Sequence, residues 1–316
     1  MSEAKGRQLI ITADDFGAGP AVDDGVLEGI RAGMVNTVSA LANYPGSVQA
    51  ITELHAQHPE VGVGVHLNLT SGRPLLPPSL LGGICDPQGN FQGLSRLLER
   101  LDYLDLTAIR RELRGQVERL ASTGVPIDHL SSHHNVLAIY PPFLDIMAQL
   151  AEEYDAPLRT PVAASQTHSR RYGYAKTRKR AAANVAKLVE QRPLQALAVL
   201  PGTWLRLVTS KRRLRRRQVR HPDHLIDALF GDPREENLRH IIAELPRGLS
   251  ELVVHLALWE PGQSVPEGLD PHEFPNRVGE RRLMTGPLLP RLLERHGVSL
   301  ARYCAASRGL YTPLED

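Results

Sequence analysis

Residues 9–17 read Leu9-Ile10-Ile11-Thr12-Ala13-Asp14-Asp15-Phe16-Gly17: an apolar, β-branched run that ends abruptly in two carboxylates, an aromatic ring and a glycine. This pattern predicts a buried parallel strand with an acidic site at its C-terminal end. Successive strand residues face opposite sides, so the two aspartates share a role only if the strand breaks there. Gly17 and Gly19 permit a sharp turn, and Pro20 can open a helix. Val22, Val26 and Ile30 then recur at helical spacing, with Asp23 and Asp24 suited to the helix N-terminus. Strand, acidic loop and helix form one unit, and in α/β folds that loop lies where active sites are built. Alone, an Asp-Asp pair at a strand end is ordinary turn and capping chemistry. The rest of the chain shifts that balance.

Downstream, Val35 to Leu41 reads as a second strand, and Val61-Gly62-Val63-Gly64-Val65-His66-Leu67-Asn68-Leu69 as a third. The third alternates strictly, with Gly62, Gly64, His66 and Asn68 on one face. A polar row relieved by glycines suits a barrel interior with a site at its mouth. Residues 70–106 are rich in Pro, Gly and Leu without clean periodicity and read as an insertion over that mouth. A helix follows from Thr107 to Gly124, then a strand at Ile127-Asp128-His129-Leu130-Ser131-Ser132-His133. Pro141 and Pro142 open another helix, and a short strand is expected at Leu158-Arg159-Thr160. Residues 165–220 read as helical and basic, with a strand at Ala196 to Leu200. Helices are expected over 223–230 and 235–245, a core strand over 251–258, a helix over 279–296, and a last strand from Val298. Long crossovers between strands argue for a parallel sheet with helices outside. About seven such units favour an α/β, TIM-like (β/α) barrel, incomplete or distorted, over a doubly wound sheet. One domain spans 1–316, with insertions near 70–106 and 165–220.

The 316 residues are 42% apolar and 23% charged, an ordinary globular composition. A net charge of +2 and 5% aromatics give no general case for a nucleic-acid partner. The basic run 211–217 reads as a solvated face, with an anionic lipid or nucleic-acid patch as its rival use. Two distant cysteines, Cys85 and Cys304, suggest a reducing compartment without a disulfide framework. No signal-peptide pattern and no membrane-length apolar run is seen, so a cytoplasmic protein is expected.

Four strand ends carry Asp14-Asp15, His66, His133-His134 and His255, and in a parallel barrel these ends share one rim. Asp and neutral His are good ligands for zinc or a similar divalent ion. Two histidines and one carboxylate leave room for water and substrate; a second carboxylate can take a proton and a further histidine can give one.

Thr12-Ala13-Asp14-Asp15-Phe16-Gly17, then Gly64-Val65-His66-Leu67-Asn68-Leu69-Thr70, then Ser132-His133-His134, resemble the YdjC family of carbohydrate deacetylases. Supporting matches are Pro141-Pro142, Leu158-Arg159, His221-Pro222-Asp223-His224-Leu225, Glu251-Leu252-Val253-Val254-His255, and 281–293 against the family's closing Arg-x-x-Glu-Leu-x-x-Leu region. The resemblance implies a barrel holding a divalent metal (Mg2+ or Zn2+) on Asp15, His66 and His133. It implies Asp14 as general base, and His255 as general acid or oxyanion-binding group. It places Arg159 near the site, and Arg159 and Asn68 are expected to contact substrate. The reaction implied is hydrolysis of the N-acetyl group of an amino sugar or oligosaccharide, and a homodimer is implied by the family's habit. The chain departs from the family at Ser131, Asn135 and Leu137, where an aspartate and two histidines are usual, and at Leu256-Ala257, where Pro-Gly is usual. The altered neighbours of His133 mark a divergent subgroup. They keep two other functions in view: a metal-dependent esterase or amidohydrolase on another small substrate, and a non-catalytic carbohydrate-binding relative.

Overall fold

The apolar runs become strands of one parallel sheet. The structure is a computed structural model and describes residues 6–159, 217 and 219–303. Its strands are β1 (Arg7–Phe16), β2 (Thr37–Ala40), β3 (Gly62–Leu67), β4 (Ile127–Ser132), β5 (His224–Ile226), β6 (Gly248–Val254) and β7 (Val298–Leu300). The order is β4-β3-β2-β1-β6-β5, and β7 pairs the first residues of β1. All pairings are parallel. The helices are α1 (Pro20–Arg31), α2 (Ser47–Gln57), α3 (Gly93–Arg100), α4 (Leu106–Ala121), α5 (Val136–Ile139), α6 (Pro141–Glu153), α7 (Glu235–Ala243), α8 (Phe274–Thr285) and α9 (Leu288–His296).

The sheet curls. In a flat sheet β4 and β1 would lie roughly 14 Å apart, three strand spacings. Here Ser131 of β4 reaches Ser39 of β2 across β3 at 2.9 Å. Arg159, whose N–H donates to Leu130 of β4, reaches Asp14 on β1 and Glu251 on β6. The convex face carries the main core, with Leu9, Ile11 and Ala13 of β1 packed towards the helices. The concave face holds a small apolar cluster of Ile10, Leu249 and Tyr303, and is otherwise lined by buried polar groups. This is the expected barrel in incomplete form. Its sheet continues past β4 through a parallel bridge between Leu130 and Leu158, and Leu158 N–H donates to the Arg220 carbonyl.

Two expectations need correction, and the insertion at 70–106 gains detail. Residues 223–230 are not a helix; they hold β5, only three residues long. Its pairing with β6 is a matter of backbone bonds, and the Asp223 carboxylate accepts the Leu249 N–H at 2.9 Å. The helix expected over 279–296 is two helices, interrupted at Gly286-Pro287 because proline cannot donate into the preceding turn. The 70–106 segment contains one regular α-helix, α3, and is anchored by Glu112 of α4, which accepts the N–H groups of Leu75 and Leu76. The expected strand at Ala196 to Leu200 and the basic run 211–217, apart from Arg217, lie outside the described residues. Among the described residues no helix is long and apolar enough to cross a membrane.

Candidate metal centre

β1 breaks where its carboxylates begin. Asp15 has φ of +68°, and the pairing with β2 shifts register between Asp14 and Phe16. Aspartate is one of the few side-chain-bearing residues that visits this left-handed region readily. The break turns both carboxylates to one site, and both are buried. After it, the Gly17 N–H donates to Asp23 at 2.6 Å, which fixes the turn into α1.

Three strand ends converge on this pair. His66 at the end of β3 has Nε2 3.5 Å from Asp15 Oδ1 and 3.6 Å from Asp14 Oδ2. His133, just beyond β4, has Nδ1 3.0 Å from Asp15 Oδ1. His255, just beyond β6, has Nε2 3.9 Å from Asp14 Oδ2. Asp15, His66 and His133 each offer one ligand atom, all within 4.8 Å of one another. Asp15 Oδ1 and His133 Nε2 are buried without a hydrogen-bond partner of good geometry. Buried polar atoms are rarely left so, and two within one Asp/His/His cluster fit a site that could hold a metal ion.

Each aspartate has its own arginine. Arg159 grips Asp14 with two hydrogen bonds of 2.7 and 2.9 Å, and lies 2.6 Å from Glu251. Arg277 donates to Asp15 Oδ2 at 2.6 Å. Burial opposes ionisation of Asp14, but Arg159 and then His66 outweigh it and hold the carboxyl well below the usual range. Burial likewise opposes ionisation of Asp15, and Arg277 followed by His133 outweighs it. Burial pushes the His66 imidazole down to about 3, so its ring is neutral, the form that ligates metals. Burial and Arg277 push His255 down to about 4.

The group lines a cleft of about 230 Å³, whose walls include Leu94, Leu225, Phe230, His134 and Asn135. His134 and Asn135 are consecutive left-handed residues, φ +54° and +52°, which carry the chain sharply from β4 into α5. A larger hollow of about 880 Å³ lies between the start of α1 and residues 258–266, but contains none of these histidines.

The structure thus gathers Asp14, Asp15, His66, His133, His255 and Arg159. It does not bring Asn68 to the cleft. The Asn68 amide accepts the N–H groups of Thr70 and Ser71 and donates to the Ser71 carbonyl and to Asn43, holding the 68–71 turn. Arg159 lines the cleft, yet its guanidinium is committed to Asp14, Glu251 and Ser39. Sequence reasoning missed Arg277 and Glu280. Arg281, at the start of the segment matched to the closing family region, instead donates to Ala257 and pairs with Glu28. Four residues earlier, Arg277 reaches Asp15. Glu280 accepts the His255 N–H at 2.8 Å, and burial pushes its carboxyl up to about 8. Their i, i+3 spacing puts both on one face of α8, a signal available from the sequence.

A family model for YdjC-like protein matches residues 8–295. Curated relatives include a carbohydrate deacetylase of Brevibacillus brevis, 39% identical over 157 residues, or 49% of this chain and 59% of that one. A carbohydrate deacetylase of Geobacillus stearothermophilus is 39% identical over 51% of this chain and 62% of that one. The chain therefore spans about six-tenths of the length of these relatives. Among solved structures, a protein of Enterococcus faecalis V583 described as a cellobiose-phosphate cleavage protein is 24% identical. It superposes with a TM-score of 0.67 over 94% of this chain and 98% of that one, a likeness of fold. With a family model matched along nearly its whole length, the chain belongs to the YdjC-like family.

Proposed function

We propose that the protein hydrolyses the N-acetyl group of an amino sugar or oligosaccharide and releases acetate. Asp15, His66 and His133 would hold a divalent ion, zinc or magnesium. The observation that carries this reading is the Asp/His/His cluster, with two buried atoms that lack a well-directed hydrogen bond, set beside a second, separately held carboxylate. The carbohydrate deacetylases among its relatives support the substrate class. When bound, such an ion polarises a carbonyl and makes a neighbouring water more acidic.

The chain's own residues do the rest. Asp14, kept ionised and fixed by Arg159, takes the proton of the attacking water. His255 offers an N–H to the oxygen on which charge develops; a ring held neutral suits hydrogen-bond donation better than proton delivery. Asp14 then returns its proton to the departing nitrogen. The C–N bond breaks, a C–O bond has formed, and acetate and a free amine result. Arg159 acts through Asp14, and Asn68 through the turn that follows His66, rather than on the sugar.

Metal analysis of the purified protein, paired with an acetate-release screen over N-acetylated mono- and oligosaccharides, tests this reading. Asp14→Asn should keep the metal and lose at least about 10²-fold in kcat. His66→Ala and His133→Ala should lose the metal itself. Near-normal turnover by Asp14→Asn would remove Asp14 as the base. Protein without a divalent metal, and no acetate release from any sugar with zinc, cobalt, nickel or magnesium added, would point to a non-catalytic carbohydrate-binding protein.

A further inference from the structure

Behind His66 runs a line of buried polar side chains that the chemistry above leaves unused. His66 Nδ1 is 2.8 Å from Ser131 Oγ. Ser131 Oγ is 2.9 Å from Ser39 Oγ, and Ser39 Oγ is 2.9 Å from His129 Nε2. His129 Nδ1 is 3.3 Å from Asp128 Oδ2. All five residues are buried.

The backbone is built to allow this line. Neighbouring strand residues normally face opposite sides, so Asp128 and His129 should not meet in one network. β4 carries a bulge here: Val63 of β3 faces Ile127, and Val65 faces Leu130, so that two residues of β4 oppose Gly64 alone. Two glycines make the room. A Cβ on Gly62 would sit 2.6 Å from Asp128 Cγ, and one on Gly64 would sit 2.3 Å from His129 Cε1. Tyr303 stacks on the His129 ring, with centroids 4.3 Å apart and planes 12° from parallel.

The line has a direction. With Asp128 Oδ2 as the acceptor, His129 Nδ1 carries the ring proton and Nε2 accepts from Ser39. Arg159 Nη2 also donates to Ser39 Oγ, at 3.3 Å, which leaves the Ser39 hydroxyl proton for His129. Ser131 then donates to Ser39 at 2.9 Å, a shorter contact than its 3.4 Å to the Val65 carbonyl, and His66 donates to Ser131 through Nδ1. The proton of His66 is thereby placed on Nδ1, and Nε2 faces Asp15 Oδ1 at 3.5 Å and Asp14 Oδ2 at 3.6 Å. A metal-ligating histidine ordinarily gives its second nitrogen's proton to a carboxylate, carbonyl or water. At His66 a serine stands in that place.

We infer that Asp128, His129, Ser39 and Ser131 form a one-way hydrogen-bond relay that sets the tautomer of His66, making them positioning residues for a metal ligand. The inference rests on the reading of Asp15, His66 and His133 as the metal site.

The test uses metal-free protein with ¹⁵N-labelled histidine. Long-range ¹H–¹⁵N spectra read each ring's tautomer, with the His66 signals assigned by their loss in His66→Gln. In the parent, His66 and His129 should both be protonated on Nδ1. His129→Leu removes the acceptor for Ser39, and His66 should become a tautomer mixture. Its Zn2+ affinity, measured by competition titration, should fall by about 10–100-fold. His129→Gln can accept from Ser39 and donate to Asp128, so it should restore both readouts, which a purely structural role for the ring would not require. If His129→Leu fails to fold, Ser39→Ala cuts the same line at a smaller side chain and serves instead. A parent His66 protonated on Nε2, or a cut variant matching the parent in both tautomer and affinity, overturns the relay. A parent that binds no Zn2+ overturns the metal site, while the tautomers of the metal-free protein still decide the relay.

Discussion

Asp14 and Asp15 are neighbours in the chain, yet each is clamped by a different arginine from a different part of the fold. Arg159 serves two buried carboxylates, Asp14 and Glu251, and Glu251 is also held by the Tyr303 hydroxyl. Removing the charge from such a group costs far more than the net value of the pair, because the partners stay buried without the cation that faced them. Arg159→Met should therefore lower the unfolding free energy by about 3–5 kcal/mol, read from denaturant titrations at neutral pH. Arg159→Lys keeps the charge but has no planar fork to reach both Asp14 oxygens and Glu251 together. It should fold with an intermediate loss and hold Asp14 less firmly, so kcat should fall while the affinity for metal changes little. A loss from Arg159→Met within about 0.5 kcal/mol, as at an ordinary surface site, would mean the pairing is not what holds the Asp14 carboxyl low.

The helices and strands that carry these residues are joined as closely as their smallest side chains allow. Gly25 sits inside α1, where glycine ordinarily weakens a helix by about 1 kcal/mol relative to alanine. On propensity alone Gly25→Ala should stabilise. A Cβ there would lie 2.5 Å from the backbone of Ala257, just past β6. Backbone cannot give way as a side-chain tip can, so Gly25→Ala should instead destabilise by about 1–3 kcal/mol, measured by the urea midpoint. A gain in stability would show that α1 does not press on the 255–258 stretch.

The same contrast marks what sequence reasoning could reach. The runs at 9–17, 61–69, 127–133 and 251–258 are long, β-branched or strictly alternating, although the last of these strands, β6, covers Gly248–Val254 and ends four residues earlier than expected. Their strand character is local, so the strand ends at Asp14, His66, His133 and His255 could be lined up before any coordinates. What pattern reading misses is set by partners distant in sequence. β5 is three residues and exists through its pairing with β6. The bulge at Asp128-His129 depends on Gly62 and Gly64 in another strand. The spacing of Arg277 and Glu280 puts them on one face of α8, but which partner Arg277 meets follows only once α8 is laid beside the end of β1.

For the molecule as a whole, five mostly buried acids among the described residues are shifted and fall into two sets. Asp14 and Asp15 have cationic partners and are held low. Asp23, Glu112 and Glu280 are mostly buried without an arginine hydrogen-bonded to them, and burial pushes them up, Asp23 to about 7 and Glu280 to about 8. The two sets act oppositely on stability. An acid held low contributes stability that is present above its unfolded pKa and lost as pH falls through the folded value. An acid pushed up is bound to its proton in the fold at pH values where the unfolded chain has released it. Its contribution is therefore lost as pH rises from the unfolded value, near 3.8 for aspartate, through the folded one. Asp23 is the cleanest case: it stands apart from the Asp15/His66/His133 cluster, and its carboxyl accepts the Gly17 N–H, a bond that an asparagine oxygen can also accept. The stability difference between Asp23→Asn and the parent should grow in the variant's favour from pH 4 to about pH 7 and stay level above that. Urea unfolding at pH 4.5, 6, 7.5 and 9 would trace it. A difference independent of pH would mean that Asp23 ionises in the fold as it does in the unfolded chain.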